Sequence, residues 1–149
     1  MYKHILVPTD GSKLAAKGIR EGVKLAKALR AKITGVYVAS PFVPPIYSEG
    51  AMYSAGPFSR TEYKKLTEKI AGKALGAIER AARAAGVRCR TRLVTDPRPW
   101  QGILRAARTG RCYAIVMASH GRGAVGGLML GSETSRVLAH SKTRVLVVR

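Results

Sequence analysis

Carboxylates are scarce in this chain. Asp and Glu total 8 against 27 Lys and Arg in 149 residues. So few acids, thinly spread, offer no carboxylate pair for acid–base catalysis. Cysteine is almost missing as well. Cys89 and Cys112 stand far apart, with no CxxC and no His at ligand spacing. Neither a disulfide framework nor a zinc site is expected, and both thiols read as reduced and structural. No apolar run approaches the ~20 residues of a membrane span. The apolar part of Met1–Pro8 is too short for a signal peptide, so a cytoplasmic chain is expected. There is also no internal repeat, no low-complexity tract and no run of five or more basic residues.

What remains is a strongly basic globular chain. The formal net charge is +19 and the sequence pI is about 10.9. Such a balance attracts polyanions such as nucleic acid, polyphosphate, anionic lipid or nucleotide. It also fits a merely solvated surface. The length suits one domain, residues 1–149, and an apolar share of 46% suffices for a core.

Strand and helix patterns alternate along the chain. His4–Pro8 reads as a buried strand that ends at Pro8 and the turn-forming Thr9–Ser12. Leu14, Gly18, Ile19, Gly22, Val23, Ala26 and Leu29 then recur at helical spacing, with lysines on the other faces. Ile33–Ala39 is a second strand. Residues 40–59 have no periodicity, hold Pro41, Pro44, Pro45 and Pro57, and carry Phe42, Tyr47, Tyr53 and Phe58. A loop of this length is expected to act as a lid or interface, or to pack on the domain surface.

Thr61–Ala85 is a long helix with an inner stripe of Leu66, Ile70, Ala74, Ala77, Ala81 and Ala85, stopped by Gly86. Val87–Val94 alternates Val87, Cys89, Thr91 and Leu93 with Arg88, Arg90 and Arg92, as an edge strand with one wet face would. Pro97–Thr109 is a helix with Trp100, Ile103, Leu104 and Ala107 inward. Tyr113–Ala118 is a doubly buried strand. A glycine-rich loop, a helix from Ser132 to His140 and a strand at Arg144–Val148 complete the order. Alternation of this kind implies a parallel, doubly wound α/β sheet with helices on both faces. Its ligand site is expected at the carboxyl ends of the strands, near Pro8–Ser12 and Ser119–Ser132.

The second of these segments carries the chemistry. Gly121, Gly123, Gly126 and Gly127 let backbone N–H groups approach an anion, and Ser132 opens a helix whose N-terminus favours phosphate. A dinucleotide fingerprint is disfavoured: the GxGxxG match at Gly121–Gly126 lies in the last unit and lacks the acidic residue ~20 positions on. A Walker A loop is excluded, because no Lys precedes Ser132. The bare alternative is a connection that holds no ligand.

Three separated segments resemble the universal stress protein family over essentially the whole chain. They are Ile5–Ser12, Ile115–Arg122, and Leu130-Gly131-Ser132 followed by Val137–Ser141 and Val145–Val148. Gly121, nine residues and then Gly131-Ser132 are similar to that family's nucleotide loop. The resemblance implies a Rossmann-like, adenine nucleotide alpha hydrolase-like sheet of five parallel strands in the order 3-2-1-4-5, usually in a homodimer, and in many members ATP with Mg²⁺. By that resemblance Asp10 would serve Mg²⁺ and phosphate through water. Pro8, Thr9 and Val38 would line the adenosine side, and Met117, Gly121, Gly131, Ser132 and Thr134 would meet ribose and phosphates. Ala118 stands where the family pattern has its first Gly, so a methyl group narrows the approach there. Glu133 opposes phosphate while suiting the helix dipole, and Arg122 offsets it.

Other readings attach to these residues on their own chemistry. Asp10 also fits an Asx turn before the first helix, and Ser132 an N-cap. His120 fits either a ribose or phosphate contact or a bond that shapes the turn. His4 and His140 read as structural. The apolar Val145, Leu146, Val147 and Val148 would be an exposed sheet edge unless covered, and antiparallel pairing with a second copy gives a two-fold dimer. The expected function is therefore ATP binding as a stress-response sensor or regulator, without committed catalysis. The alternative expectation is a family member that binds no nucleotide and acts on polyanions, nucleic acid included, or on proteins through its basic surface.

Overall fold

The structure, a computed structural model, describes residues 3–44, 59–120 and 130–149. Five parallel strands form one sheet. They are β1 (His4–Pro8), β2 (Lys32–Ala39), β3 (Cys89–Thr95), β4 (Ala114–Ala118) and β5 (Arg144–Val148). The helices between them are α1 (Lys13–Ala28), α2 (Arg60–Ala84), α3 (Pro99–Thr109) and α4 (Ser132–His140). The spatial order is β3-β2-β1-β4-β5. The order therefore reverses between β1 and β4, where their loops diverge to opposite halves of the sheet.

Strand alternation divides the core in two. Ile5, Val7 and Val116 point to α1 and α2, where they join Ile19, Val23, Leu75 and Ile78. Leu6, Ile115 and Met117 point to α3 and α4, where they join Ile103, Ala107 and Val137. Ile5, Leu6, Val7, Ile115 and Val116 are fully buried, and each such side chain contributes roughly 1.5–3 kcal/mol of transfer free energy. A sheet covered on both faces explains why β1 and β4 read as unbroken apolar runs.

Small residues set how closely α1 lies on the sheet. A Cβ added at Gly18 would stand 2.9 Å from the Ala118 amide nitrogen, and one at Gly22 would stand 2.7 Å from a Val7 methyl. Ser12 caps α1 by accepting the Ala15 N–H. Ser59 and Glu62 form a reciprocal capping box on α2, which holds the Glu62 carboxyl below its ordinary range. At the other helix ends, Gly86 (φ +71°) takes the left-handed conformation expected of it, and Arg30 and Arg111 do so without being glycine.

Several expected inward positions are exposed. Leu66 and Ile70 are 46% and 39% accessible, and the buried stripe of α2 begins at Ala71. The reason is length. The 25 residues of α2 span ~37 Å, whereas the 8 residues of β2 span ~26 Å, so the first turns overhang the sheet. Leu14 and Leu29 are likewise exposed at the two ends of α1, and Leu93 is exposed on β3. Val94, on the opposite face of β3, packs against the α3-side core. Strand and helix limits also shift slightly: β2 opens at Lys32, β3 at Cys89, α3 at Pro99 and β4 at Ala114.

His4 sits at the foot of β1, with Nε2 and Thr34 Oγ1 2.7 Å apart. Burial, and then the nearby Lys32, hold its pKa below the usual 6.5. The unfolded chain therefore takes up this proton at a higher pH than the folded chain. Stability is full above about pH 6.5 and falls as pH drops through that value toward the lower folded pKa. Urea midpoints measured across that window should fall less steeply in His4→Gln than in the parent. Gly18→Ala should lower stability by about 1–3 kcal/mol, because the methyl meets backbone that has no rotamer to yield. Leu66→Ala, on the overhang, should stay within about 1 kcal/mol in the same titrations.

Candidate functional site

The strand order reverses at the ends of β1 and β4, and two short backbone devices shape the rim there. After β1, buried Thr9 donates its N–H to Val36 O and accepts the Gly11 N–H on Oγ1 at 3.1 Å. Asp10 Oδ1 accepts the Ser12 N–H at 2.9 Å, an Asx turn. Gly11 takes φ +79°, which lets the chain double back into α1. The carboxylate of Asp10 thus has one oxygen engaged in the turn, at the mouth of the sheet beside Pro8.

After β4 the chain leaves and returns to the same point. The Ser119 N–H donates to Val148 O, and the Gly131 N–H donates to Ser119 O at 2.8 Å. Buried Thr134 donates its hydroxyl to Ala118 O at 3.1 Å. These bonds fix the N-terminus of α4 directly above the end of β4. Ser119 Oγ and His120 Nδ1 lie 2.9 Å apart, so His120 is held at the turn. Met117 and Ala118 are buried, and the Ala118 amide lies beneath Gly18 of α1. Val38 is half-buried in the α3-side core. Gly121 and Arg122 lie outside the described residues.

The N-terminus of α4 is electrostatically open. Its cap residue is Gly131, which supplies no side-chain acceptor. The first-turn N–H groups have no intrahelical partner either. Glu133 is the one acid in that turn, and its side chain turns aside. Its Oε2 accepts the Trp100 N–H at 2.8 Å, and its Oε1 pairs with Arg136 at 3.1 Å. Glu133 therefore caps α3, whose own cap residue Arg98 makes no side-chain cap bond. The expected quarrel between this carboxylate and a phosphate is weakened by the pair with Arg136 and by a contact between residues 33 apart in sequence. Nothing in local spacing announces it.

Ser119 opens the expected Ser119–Ser132 segment and proves central to the loop closure. Its one sequence signal is its position at the exit of a buried strand. Neither cysteine joins the rim. Burial pushes the Cys112 thiol up to about 11 and raises that of Cys89 as well, so both are poor nucleophiles at neutral pH. Among the described residues no cluster of His, Cys, Asp and Glu is gathered for a metal ion, and no helix is long and apolar enough to cross a membrane.

The last strand occupies one edge of the sheet. Among the described residues no strand pairs with the outer side of β5. Val145, Val147 and Val148 are half-buried against the flanking layers, and Leu146 is 46% accessible.

Comparison with known proteins places this architecture. Residues 1–149 match the model of the universal stress protein family. A universal stress protein of Thermus aquaticus is 33% identical over 152 residues, with both chains covered in full. A universal stress protein solved in complex with cAMP shares 23% identity and a TM-score of 0.70, covering 99% of this chain and 97% of that one. Another, from Archaeoglobus fulgidus in complex with dAMP, shares 17% identity and a TM-score of 0.68, covering 99% and 98%.

The cap supplied by Glu133 has a measurable worth. Glu133→Ala should cost about 0.5–2 kcal/mol in chemical unfolding, the range of an N-cap loss. Most of that cost should appear as faster amide exchange in the first turn of α3 rather than in α4.

Proposed function

The chain belongs to the universal stress protein family, and we propose that it binds ATP with Mg²⁺ at the rim between β1 and β4, as a sensor or regulator rather than a catalyst of turnover. One observation carries the reading: the first turn of α4 is anchored over β4 by Thr134 and Gly131 while its acidic residue is drawn away to α3. The result is a set of backbone donors with positive helix potential, facing the switch point of a parallel sheet. The related structures with cAMP and dAMP support an adenine nucleotide as the class of ligand.

The residues present suit that group. Mg²⁺ prefers oxygen ligands and keeps several waters, so it needs one or two carboxylates and the phosphates rather than a protein cage. Asp10, with one oxygen committed to its turn, would meet it through water. The ion would neutralise phosphate charge. Ser132 and the helix N–H groups, that of Thr134 among them, would hold the phosphates, while the Thr134 hydroxyl stays on Ala118 O. Thr9, Val38 and Met117 would border the nucleoside, and Gly121 and Arg122 would complete the loop. The same reading includes a homodimer in which the free edge of β5 pairs antiparallel with its counterpart.

A chain of charge +19 attracts any triphosphate, so discrimination between bases matters more than binding itself. Calorimetric titration at ~0.15 M salt should show saturable binding of Mg-ATP and much weaker binding of Mg-UTP. Asp10→Asn keeps the Asx turn and removes the charge, and it should weaken Mg-ATP by about tenfold or more, roughly 1.4 kcal/mol. Equal weak binding of the two nucleotides, lost as salt rises, would overturn the reading.

A further inference from the structure

The face that carries α3 and α4 holds a cleft that the nucleotide reading leaves unused. Its volume is about 580 Å³, and it runs along α3 toward Lys142 and Thr143. Arg105, Arg108, Arg111 and Lys142 line it. The acid among its lining residues is Asp96, which is buried and already committed. Its Oδ1 accepts the Arg98 N–H, and its Oδ2 pairs with Arg105 at 2.9 Å. Arg108, Arg111 and Lys142 are exposed. Among the described residues none of these three has an ion-pair partner. The positive surface continues past the cleft, because Arg92 of β3 reaches Thr109 Oγ1 at the end of α3. Aromatic surface lies beside these charges: the half-exposed Trp100 ring packs against that of His140, with centroids 4.6 Å apart and planes tilted by 33°.

Cations that keep their charge uncompensated, next to aromatic rings, form the pairing that single-stranded nucleic acid uses. Phosphates take the cations and a base takes the ring. We propose that this cleft binds single-stranded nucleic acid, with Arg108, Arg111 and Lys142 on the phosphates and the Trp100–His140 pair against a base. The cleft lies on the sheet face opposite α1 and α2, and it meets the nucleotide rim where Glu133 accepts the Trp100 N–H. Free polyphosphate would satisfy the cations and leave the rings untouched, which separates the two ligands experimentally.

Trp100 is the only tryptophan in the chain, so its emission, followed here without nucleotide, reports on this cleft and on the Glu133 contact beside it. The protein would be titrated with a labelled oligodeoxythymidylate at ~0.15 M salt, following anisotropy and Trp100 emission together. Binding should be saturable and should quench Trp100, whereas inorganic polyphosphate should leave the emission unchanged. Arg108→Glu with Arg111→Glu should weaken binding by about tenfold or more. Lys17→Glu with Lys27→Glu, an equal change of charge on α1, should alter it by less than about threefold. An unfolding scan of both double variants confirms that each is folded. No binding, equal loss in the two double variants, or binding that leaves Trp100 unquenched and is matched by polyphosphate would each overturn the proposal. Retained discrimination of ATP over UTP in the Arg108/Arg111 variant would show that the two sites are separate, whichever way the nucleotide reading falls.

Discussion

The crossing of α1 over β4 is the contact on which the rest of the molecule depends. It is a contact between backbones, possible only because residue 18 has no side chain. Ala118 lies at its centre. Its amide is beneath α1, its carbonyl accepts the Thr134 hydroxyl, and the next amide bonds to the end of β5. One strand terminus thus fixes a helix on one face, a helix on the other and the neighbouring edge strand. Burial of the strands supplies the driving force, but the positions of the rim donors follow from this packing distance. Protein interiors are dense enough that a shift of a few tenths of an ångström there would be passed on to α4.

Scarcity of acid has a structural consequence. Of the 8 carboxylates in the chain, Glu49 lies outside the described residues, and every other one has a local task. Asp10 and Asp96 hold turns, and Glu62 and Glu133 cap helices. Glu79 accepts the Thr91 hydroxyl, and Glu21 and Glu68 pair with lysines along their own helices. Exposed pairs of this kind contribute little, roughly 0–1 kcal/mol, and they neutralise few of the 27 basic side chains. Positive charge is therefore in large excess over the chain. It is concentrated where a concave wall gathers several cations, as along α3.

Much of this was legible in the sequence. Doubly buried strands such as β1 and β4 read as short apolar runs, and the alternation of strands with helices implied a parallel sheet before any coordinates. The order 3-2-1-4-5 came from family resemblance, since periodicity alone does not rank strands. The errors share one cause. Leu14, Leu66, Ile70 and Leu93 sit at the right spacing, but each lies where its element runs past, or to the edge of, what covers it. A periodic pattern reports which way a residue faces and is silent on whether anything stands opposite. The site shows the same division. Asp10, Ser132 and Thr134 were visible as residues near strand ends. The diversion of Glu133 to Trp100 was not, because it joins two helices through a contact with no local signature.

The two rims of the sheet are built to different rules. At the lower rim the chain passes from helix to strand through Leu29–Ala31, Ala85–Arg88, Gly110–Tyr113 and Ser141–Thr143, each a tight connection. Two of these turns hold an arginine in the left-handed conformation. The upper rim carries the chain's long connections, residues 40–59 and 119–131. The longest connections thus lie on the rim where parallel sheets bind their ligands. The lower turns hold strand register, so the connections above the sheet are free of that task. A segment grafted into that rim would inherit a scaffold whose register is already set from the other end.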